Sequence, residues 1–536
     1  MSAVEEPGFD RSRSPAGDRN PWLIALVIAL AMFMEVLDIS IANVALRHIA
    51  GSLAAGVDES TWVLTSYLIA NAVILPISGW LANAIGRKRF FMMSVAFFTV
   101  SSILCGLAPS LGWLITFRVL QGVGGGGMVP IGQAILADSF PPRQRGQAFG
   151  IFGIAVVVAP TLGPTLGGWI ADNYSWHWIF FINGPVGVIS LVLVGWLVIE
   201  PEVLERERRE RLASGLKIDW IGFALVALFF GGLEVVLDKG EREDWFDSNF
   251  IITFAVLSVL GLILLIPWEL TRKQPMVDIR LFAGRQFATC CALMLVIFAV
   301  YLGATQQLPQ LLQTTFGYDA TLAGLVLLPA GIVMGCLMPV AGGLSAVVQP
   351  KYMIAGAMIA LAFGMWQTAT LTADANFWFF VWVRFLQTVG LPFLFIPITS
   401  ASYANLPPDK TNEASSLINV ARNLGGSIGV SVATTMLANG GQTHQSYLTS
   451  NLVPSSVPFQ EALSRATAEL VAQGTPAPEA QRQAFGLIGQ TVADQATIMS
   501  YIDVFTTFAL VAAVMAALAL IFLQRVELGQ ARPAAG

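Results

Sequence analysis

RVLQGVG at residues 118–124 and RFLQTVG at residues 384–390 are one phrase written twice, at an offset of 266 residues. The same offset carries Pro141 and Pro142 onto Pro407 and Pro408, and Gly163 onto Gly429. An arginine inside an apolar stretch and a Pro-Pro pair are both rare. Matches of this kind therefore exceed the chance likeness of two apolar helices, and the chain reads as a duplicated unit.

Composition says where that unit lives. Of 536 residues, 55% are hydrophobic and 12% charged, about half the roughly 25% charge of a soluble domain. Apolar stretches recur from Trp22 to Leu523, each near the roughly 20 residues that cross a bilayer core. They are placed at 22–46, 60–83, 90–108, 112–137, 146–171, 177–199, 218–237, 250–270, 287–311, 321–342, 352–372, 377–401, 413–438 and 499–524. The expected class is an all-α membrane protein with fourteen spans and both termini on one side. With the N-terminus inside, cytoplasmic segments hold 21 of the 29 Lys and Arg, and outside segments hold five. That asymmetry sets the orientation by the positive-inside rule. The polar stretch 1–21 lacks the apolar core of a signal peptide. The net charge of −5 points to no nucleic-acid partner, and the four cysteines, all in apolar segments, show no zinc or disulfide spacing.

An offset of eight spans is a parallel repeat about an axis along the membrane normal, the plan of carriers whose halves rock about a central site. The expected organisation is a cytoplasmic tail (1–21), a six-helix bundle (22–199), a linker with two inserted helices (200–286), and a second bundle (287–524). Within it 439–498 forms a long outside loop, and 525–536 is a second cytoplasmic tail. A channel or membrane enzyme needs no such pair of halves.

Several motifs occur in order. The first span carries LDISIANVAL (Leu37 to Leu46), and the turn after the second reads GWLANAIGRKR (Gly79 to Arg89). Arg118, Gln121 and Gly122 stand in the fourth span, and Gly153 with APTLGPTLGG (Ala159 to Gly168) in the fifth. WHWIFFINGPVG (Trp176 to Gly187) and ARNLGGSIG (Ala421 to Gly429) follow. Together they resemble the major facilitator superfamily, and within it the EmrB/QacA-type fourteen-helix drug:proton antiporters. The resemblance implies two six-helix bundles with two inserted helices and proton-driven export without a cofactor. It also implies a periplasmic membrane-fusion adaptor and outer-membrane channel as partners in the bacterial inner membrane. It assigns Gly79, Asn83, Gly86, Arg87 and Lys88 to a cytoplasmic gate, and Gly153, Pro160, Gly163, Pro164 and Gly167 to the antiporter motif. Asn83 departs from the family's usual Asp and cannot pair electrostatically, so Asp138 is the candidate partner for Arg87. The counterpart stretch around Gly343 to Lys351 is eroded.

Ionisable groups inside spans are costly and point to function. Glu35 and Asp38 are three apart, on one helix face, near the bilayer middle. Desolvation disfavours a charged carboxyl group, the condition a reversible proton carrier needs; the plain alternative is an acid neutralised by Arg. Arg118 and Asp38 lie at similar depths and would pair if their helices adjoin. Glu234, Arg384 and Arg422 are weaker candidates, with interfacial, packing or conformational roles equally open. Asn43, Gln121, Gln306, Gln310 and Arg384 are the polar candidates for a substrate cavity. Gly163 and Gly167 form a small-x-x-x-small face that could meet the opposite half, and Pro160 and Pro164 loosen the fifth helix. His48, His177 and His444 suggest no metal or catalytic site. The segments Glu461 to Gln473 and Glu479 to Ala496 are helix-like, either within a tether or as a docking element for the adaptor.

The leading function is proton-coupled export of drugs or similar lipophilic compounds, against a proton-coupled nutrient importer or a transport-inactive sensor or scaffold. The orientation generates the first prediction. In intact spheroplasts an impermeant reagent should reach a tag at residue 470 and miss one at the C-terminus; the reverse pattern would invert every depth assignment.

Overall fold

The computed structural model describes residues 20–141, 144–199, 219–272, 275–404, 406 and 410–525. All fourteen expected segments are helical. Helix α1 is Pro21–Val44, α2 Trp62–Ile85, α3 Arg87–Gly106, and α4 the pair Leu111–Gly125 and Met128–Ser139. Next come α5 Arg145–Asn173, α6 Asn183–Leu197, α7 Trp220–Lys239 and α8 Asn249–Thr271. The second set is α9 Arg285–Thr314, α10 Ala320–Leu344, α11 Pro350–Thr368, and α12 the pair Phe377–Val389 and Pro392–Ser402. Then follow α13 Thr411–Asn451 and α14 Ala477–Phe522. Eleven of these are long and apolar enough to cross a membrane by that measure alone. The others are α5, α11 and α13. On α13, Asn412, Ser415, Ser416, Asn419 and Arg422 are buried, because that helix faces the protein and not lipid. The N-terminal tail, the stretch 200–218 and the Pro142 and Pro407–Pro408 repeats lie outside the described residues.

Local chemistry sets the ends. Asn20 accepts from Trp22 N at 3.0 Å and Pro21 opens α1. Asp219, Asp319 and Asn376 cap α7, α10 and α12 by the same side-chain geometry. Gly86 joins α2 to α3 at φ 102°, a backbone region open to glycine at little steric cost. The expected turn of several residues shrinks to that one. Helices α4 and α12 break within two residues of equivalent places, at Gly126–Gly127 and at Gly390–Leu391 before Pro392. The repeat thus extends from sequence to backbone.

Packing obeys the same two-fold relation. Helix α1 lies along α5 as α9 lies along α13, and the halves meet along two seams, α5 with α10 and α13 with α2. The two inserted helices break the symmetry. Helix α7 packs on α2 and α13, while α8 exposes Val256, Val259, Leu260, Ile263 and Leu264, the surface a bilayer would cover.

The outside segment 439–498 is helical at both stretches expected to be so, and more widely. Helix α13 continues to Asn451, a helix Val457–Ala472 follows, and α14 begins at Ala477. Leu463, Ala480 and Ala484 are buried there and Phe459 stacks near Phe485 with centroids 5.8 Å apart. A small apolar core of its own lets this segment stand as structure beyond the spans.

Candidate functional site

The centre of the first bundle is a polar network around α1. Asp38 and Arg118 are 2% and 0% exposed. Arg118 Nη1 donates to Asp38 Oδ2 at 2.6 Å and to Gln121 Oε1 at 2.8 Å, and its Nε donates to Val63 O at 2.9 Å. The guanidinium also lies 4.4 Å from the Tyr67 ring centroid, a cation–π contact. Asp38 Oδ1 accepts from Gln121 Nε2 at 3.0 Å and from Asn183 Nδ2 at 2.6 Å, and Asn183 reaches Ser102 Oγ at 2.9 Å. One carboxylate therefore ties α1 to α4 and α6 directly, to α2 through Arg118 and to α3 through Ser102. Removing one member of such a buried pair typically costs about 3–5 kcal/mol.

Glu35, one turn away, has a different neighbourhood. Its Oε1 accepts from Asn71 Nδ2 at 3.4 Å and from Tyr67 Oη at 3.5 Å, both on α2, and its buried Oε2 has no hydrogen-bond partner among the described residues. From the other half, Arg422 on α13 is close enough to interact electrostatically with Glu35, and Asn423 donates to Asn71 Oδ1 at 3.4 Å. Asp38 is thus satisfied within its bundle, whereas Glu35 sits where the bundles meet.

The second bundle repeats the arginine without the acids. Arg384 donates to Gln387 at 3.2 Å and Thr305 at 3.0 Å, with Tyr301 5.3 Å from its guanidinium carbon. Tyr301 and Ala304 occupy the places that Glu35 and Asp38 hold in the first. The other polar candidates spread out: Asn43, Gln306 and Gln310 are exposed, while Gln307 is buried and donates to Thr434 at 3.0 Å.

At the end carrying Gly79 to Arg89 the halves close on each other. Arg87 pairs with Asp138, and Lys88 Nζ donates to Gly195 O at 2.8 Å. Asn83 donates to Glu413 Oε1 at 3.0 Å and accepts from Asn412. Lys410 lies 3.8 Å from Glu413 and 2.9 Å from Asp278 in the linker. Below this layer Ser78 and Ser416 are 2.8 Å apart and Asn419 donates to Gln133 at 2.6 Å. A methyl group on Gly79 would stand 2.9 Å from the backbone of Asn412 and Glu413, so glycine there permits the contact. The counterpart stretch 343–351 does not supply the partner of Asn83; the first turn of α13 does. An acid in a helix's first turn reads from sequence as dipole complementarity, which concealed Glu413.

The glycines of α5 divide differently from expectation. Gly163 and Gly167 face Ser40 and Ile41 of α1 in their own half. It is Gly146, Gly150 and Gly153 that approach Gly342 and Met338 of α10. The reason is helical phase: α5 lies between α1 and α10 and shows a small-residue face to each. Ser40 Oγ donates to Pro160 O at 3.1 Å, satisfying the carbonyl that Pro164, lacking an N–H, leaves free. The Pro164 side chain lies outside the described residues. Helix α7 adds three further unforeseen contacts: Glu234 with Ser427 at 3.0 Å, Asp238 with Thr65, and Lys239 with Thr61.

A family model described as the Major Facilitator Superfamily matches residues 28–430. The multidrug export protein EmrB of Escherichia coli (strain K12) is 38% identical over 484 residues, 90% of this chain and 91% of its own. EmrB of Haemophilus influenzae is 41% identical over 436 residues, covering 81% and 83%. The fatty acid resistance protein FarB of Neisseria gonorrhoeae is 36% identical over 482 residues, covering 90% and 92%. Among solved structures, the proton:xylose symporter XylE bound to 6-bromo-6-deoxy-D-glucose superposes with TM-score 0.60 at 14% identity, over 94% of this chain and 96% of that one. That likeness is one of fold.

The latch yields a prediction. Asn83→Asp sets a second carboxylate against Glu413, and two such charges repel when both are ionised. Disulfide yield of a Ser78→Cys/Ser416→Cys pair, which reports closure, should fall about tenfold at pH 8 and recover near pH 5, where one carboxylate takes a proton. Adding Glu413→Gln should abolish the pH dependence. A yield unchanged by Asn83→Asp at every pH would remove Glu413 from the latch.

Proposed function

This chain belongs to the Major Facilitator Superfamily, and on that premise we propose that it is a proton-coupled antiporter. In this reading it exports drugs or other small lipophilic compounds by alternating access. The observation that carries the reading is the pair of buried carboxylates on α1 with no equivalents on α9. Proton chemistry belongs to one half, while its partner Arg422 belongs to the other. Residues 22–199 and 287–524 are the halves that rock.

Rocking about the seams moves α13 relative to α1 and α2. It changes what Glu35 faces, because Arg422 and Asn423 travel with the second bundle. A proton arriving at Glu35 Oε2 replaces the electrostatic contact with Arg422, and loss of that proton restores it. Asp38 joins the exchange when Arg118 is drawn off, so Arg118 acts as the modulator between them. Asn43, Gln306 and Gln310, exposed, supply polar groups to the substrate path, and Gln121 and Arg384 stand buried behind it. The latch of Asn83 with Glu413 and Asn412 holds the cytoplasmic side shut in the state described, and Arg87 with Asp138 braces the first bundle behind it. The fifth-helix glycines and prolines allow α5 to slide on α1 and α10 during the swing.

The helical extension between α13 and α14 stands, in the proposed orientation, on the periplasmic side of the inner membrane. Its exposed Tyr447, Val453, Val457, Val471, Phe485 and Leu487 offer an apolar surface to a membrane-fusion adaptor and, through it, an outer-membrane channel. His444 meets Asp503 at 2.7 Å, which ties the base of the extension to α14. Deleting 445–495 should leave insertion and substrate-linked proton release intact yet abolish whole-cell resistance. Full resistance at normal expression would reduce the extension to a tether.

The central test addresses coupling. Glu35→Gln with Asp38→Asn should retain substrate exchange in liposomes but lose uphill export and substrate-induced proton release. Glu35→Gln alone should remove most of that release, because only Glu35 contacts both halves. Undiminished release from the folded double mutant would place the coupling elsewhere, with Glu234 next in line.

A further inference from the structure

Helix α7 changes its winding partway along. It is α-helical over Trp220–Val226, takes one π turn over Ala227–Gly231, and is α-helical again over Gly232–Lys239. A π turn carries one residue more than an α turn, so the segment beyond it is rotated by about 100° relative to an unbroken helix. Helix α8 supports the distortion. Ser258 Oγ donates to Phe229 O inside the turn at 2.9 Å, and a methyl group on Gly232 would stand 3.0 Å from Phe254 O, so glycine there permits the close approach. The rotation decides what Glu234 meets, because without it the carboxylate would turn away from α13.

Glu234 is 4% exposed, and both of its oxygens accept from Ser427 Oγ of α13, at 3.0 and 3.1 Å. Further polar contacts from this end of α7 go to the first half: Asp238 with Thr65 and Lys239 with Thr61. Gly231 keeps the α7 backbone against α2, where an added methyl group would lie 3.5 Å from Val73 and 3.6 Å from Ile69. Helix α7 is therefore docked on α2, and Glu234 reaches across to the second half. Ser427 and Asn423 are one turn apart on one face of α13. Asn423 donates to Asn71 Oδ1 at 3.4 Å, and Asn71 Nδ2 donates to Glu35 Oε1 at 3.4 Å. The charged and titratable groups around Glu35 are Asp38 on its own helix, Tyr67 on α2, Arg422 on α13, and Arg118 of α4 behind Asp38. Of these, Arg422 comes from the second half, and it is the immediate neighbour of Asn423.

We infer that Glu234 is a positioning residue for proton exchange at Glu35: by holding Ser427 it fixes where α13 stands against α1 and α2, and so how Arg422 and Asn423 meet Glu35 and Asn71. The inference deepens the antiport reading and rests on it. Glu234 acts here as a hydrogen-bond acceptor and not as a carrier of the transported proton. A glutamine carbonyl also accepts from a serine hydroxyl, so an amide can stand in for the acid, which a proton carrier would not tolerate. The inserted pair thereby joins the coupling machinery: α8 supports the π turn, the π turn aims Glu234, and Glu234 places α13.

Two readouts separate position from transport. The first is crosslinking of an Asn71→Cys/Asn423→Cys pair by a short bis-methanethiosulfonate reagent, in a chain whose four native cysteines are replaced by alanine. Glu234→Ala and Ser427→Ala should each lower that yield at least fivefold, and Glu234→Gln should leave it within twofold. The Ser78→Cys/Ser416→Cys disulfide yield should stay unchanged in all three, certifying a folded, latched protein. The second readout is transport of N-phenyl-1-naphthylamine, an uncharged lipophilic fluorophore, in proteoliposomes. Glu234→Ala should keep downhill exchange within twofold of the native chain and lose uphill pumping at least tenfold, and Glu234→Gln should restore it. An unmoved crosslinking yield in Glu234→Ala overturns the positioning role, as does full uphill pumping by that variant. A Glu234→Gln variant that pumps no better than Glu234→Ala overturns it too and assigns Glu234 a proton. A native chain that exchanges the fluorophore but never pumps it uphill sinks the antiport reading, while the crosslinking arm still decides whether Glu234 places α13.

Discussion

Arg118 has no access to water, and a cation placed in a hydrocarbon environment must be supplied with its own solvation. Here that shell comes from Asp38, Gln121, the Val63 carbonyl and the Tyr67 ring, contributed by α1, α4 and α2. Asp38 recruits α6 through Asn183 and, one bond further, α3 through Ser102. The packing of five helices in the first bundle is thereby fixed by the need to compensate one charge. Both oxygens of Asp38 are engaged by this network, which holds the helices of the bundle to one another. Glu35 is placed to use it: it sits one turn along the same helix, held only by long hydrogen bonds and facing the other half.

The duplicated bundle supports the proposed division of roles in the charge network. Arg384 retains the fold role of its counterpart, with Gln387, Thr305 and the Tyr301 ring around it. With Tyr301 and Ala304 at the equivalent positions, the second half keeps the architecture but not the titratable pair. A two-fold carrier needs both halves to rock, but it needs only one of them to bind the proton. The latch divides labour in the same way: Arg87 with Asp138 stabilises the first bundle internally, whereas Asn83 with Glu413 and Asn412 spans the seam.

Much of this was legible in the order of residues. The repeated RxLQxVG phrase gave the two halves, the spacing of apolar stretches gave the helices, and the depth of Arg118 and Asp38 placed them at one level. What the sequence withheld depended on helical phase between distant segments. Gly163 and Gly167 looked like an inter-half surface, but α5 is sandwiched, and its Gly146–Gly153 end does that work. Asn183 and Asn71 were invisible because a single amide in an apolar span carries no pattern until a carboxylate is set beside it. Glu413 was hidden in a helix's first turn, where an acid is ordinary. In the segment 439–498 the two helix-like stretches were legible and are helices, but their fusion with α13 and α14 and the burial of Leu463, Ala480 and Ala484 between them were not.

The inserted helices add a further constraint to the two-fold scheme. A helix outside the bundles is free to drift unless something holds it, and α7 is held by polar bonds, not by apolar packing alone. Glu234 bonds to the second half, and Asp238 and Lys239 bond to the first. At the opposite membrane face the same insertion is tied in again, through Asp278 of the linker to Lys410, which neighbours Glu413 of the latch. A rocking motion that opens the latch must therefore also shift the linker, and one that spreads α2 from α13 must break or stretch the Glu234–Ser427 bond. The two seams of a nearly symmetric protein thus differ in kind: three residues of an inserted helix bond to both sides of one, whereas α5 and α10 meet directly through small residues, Gly146 against Gly342.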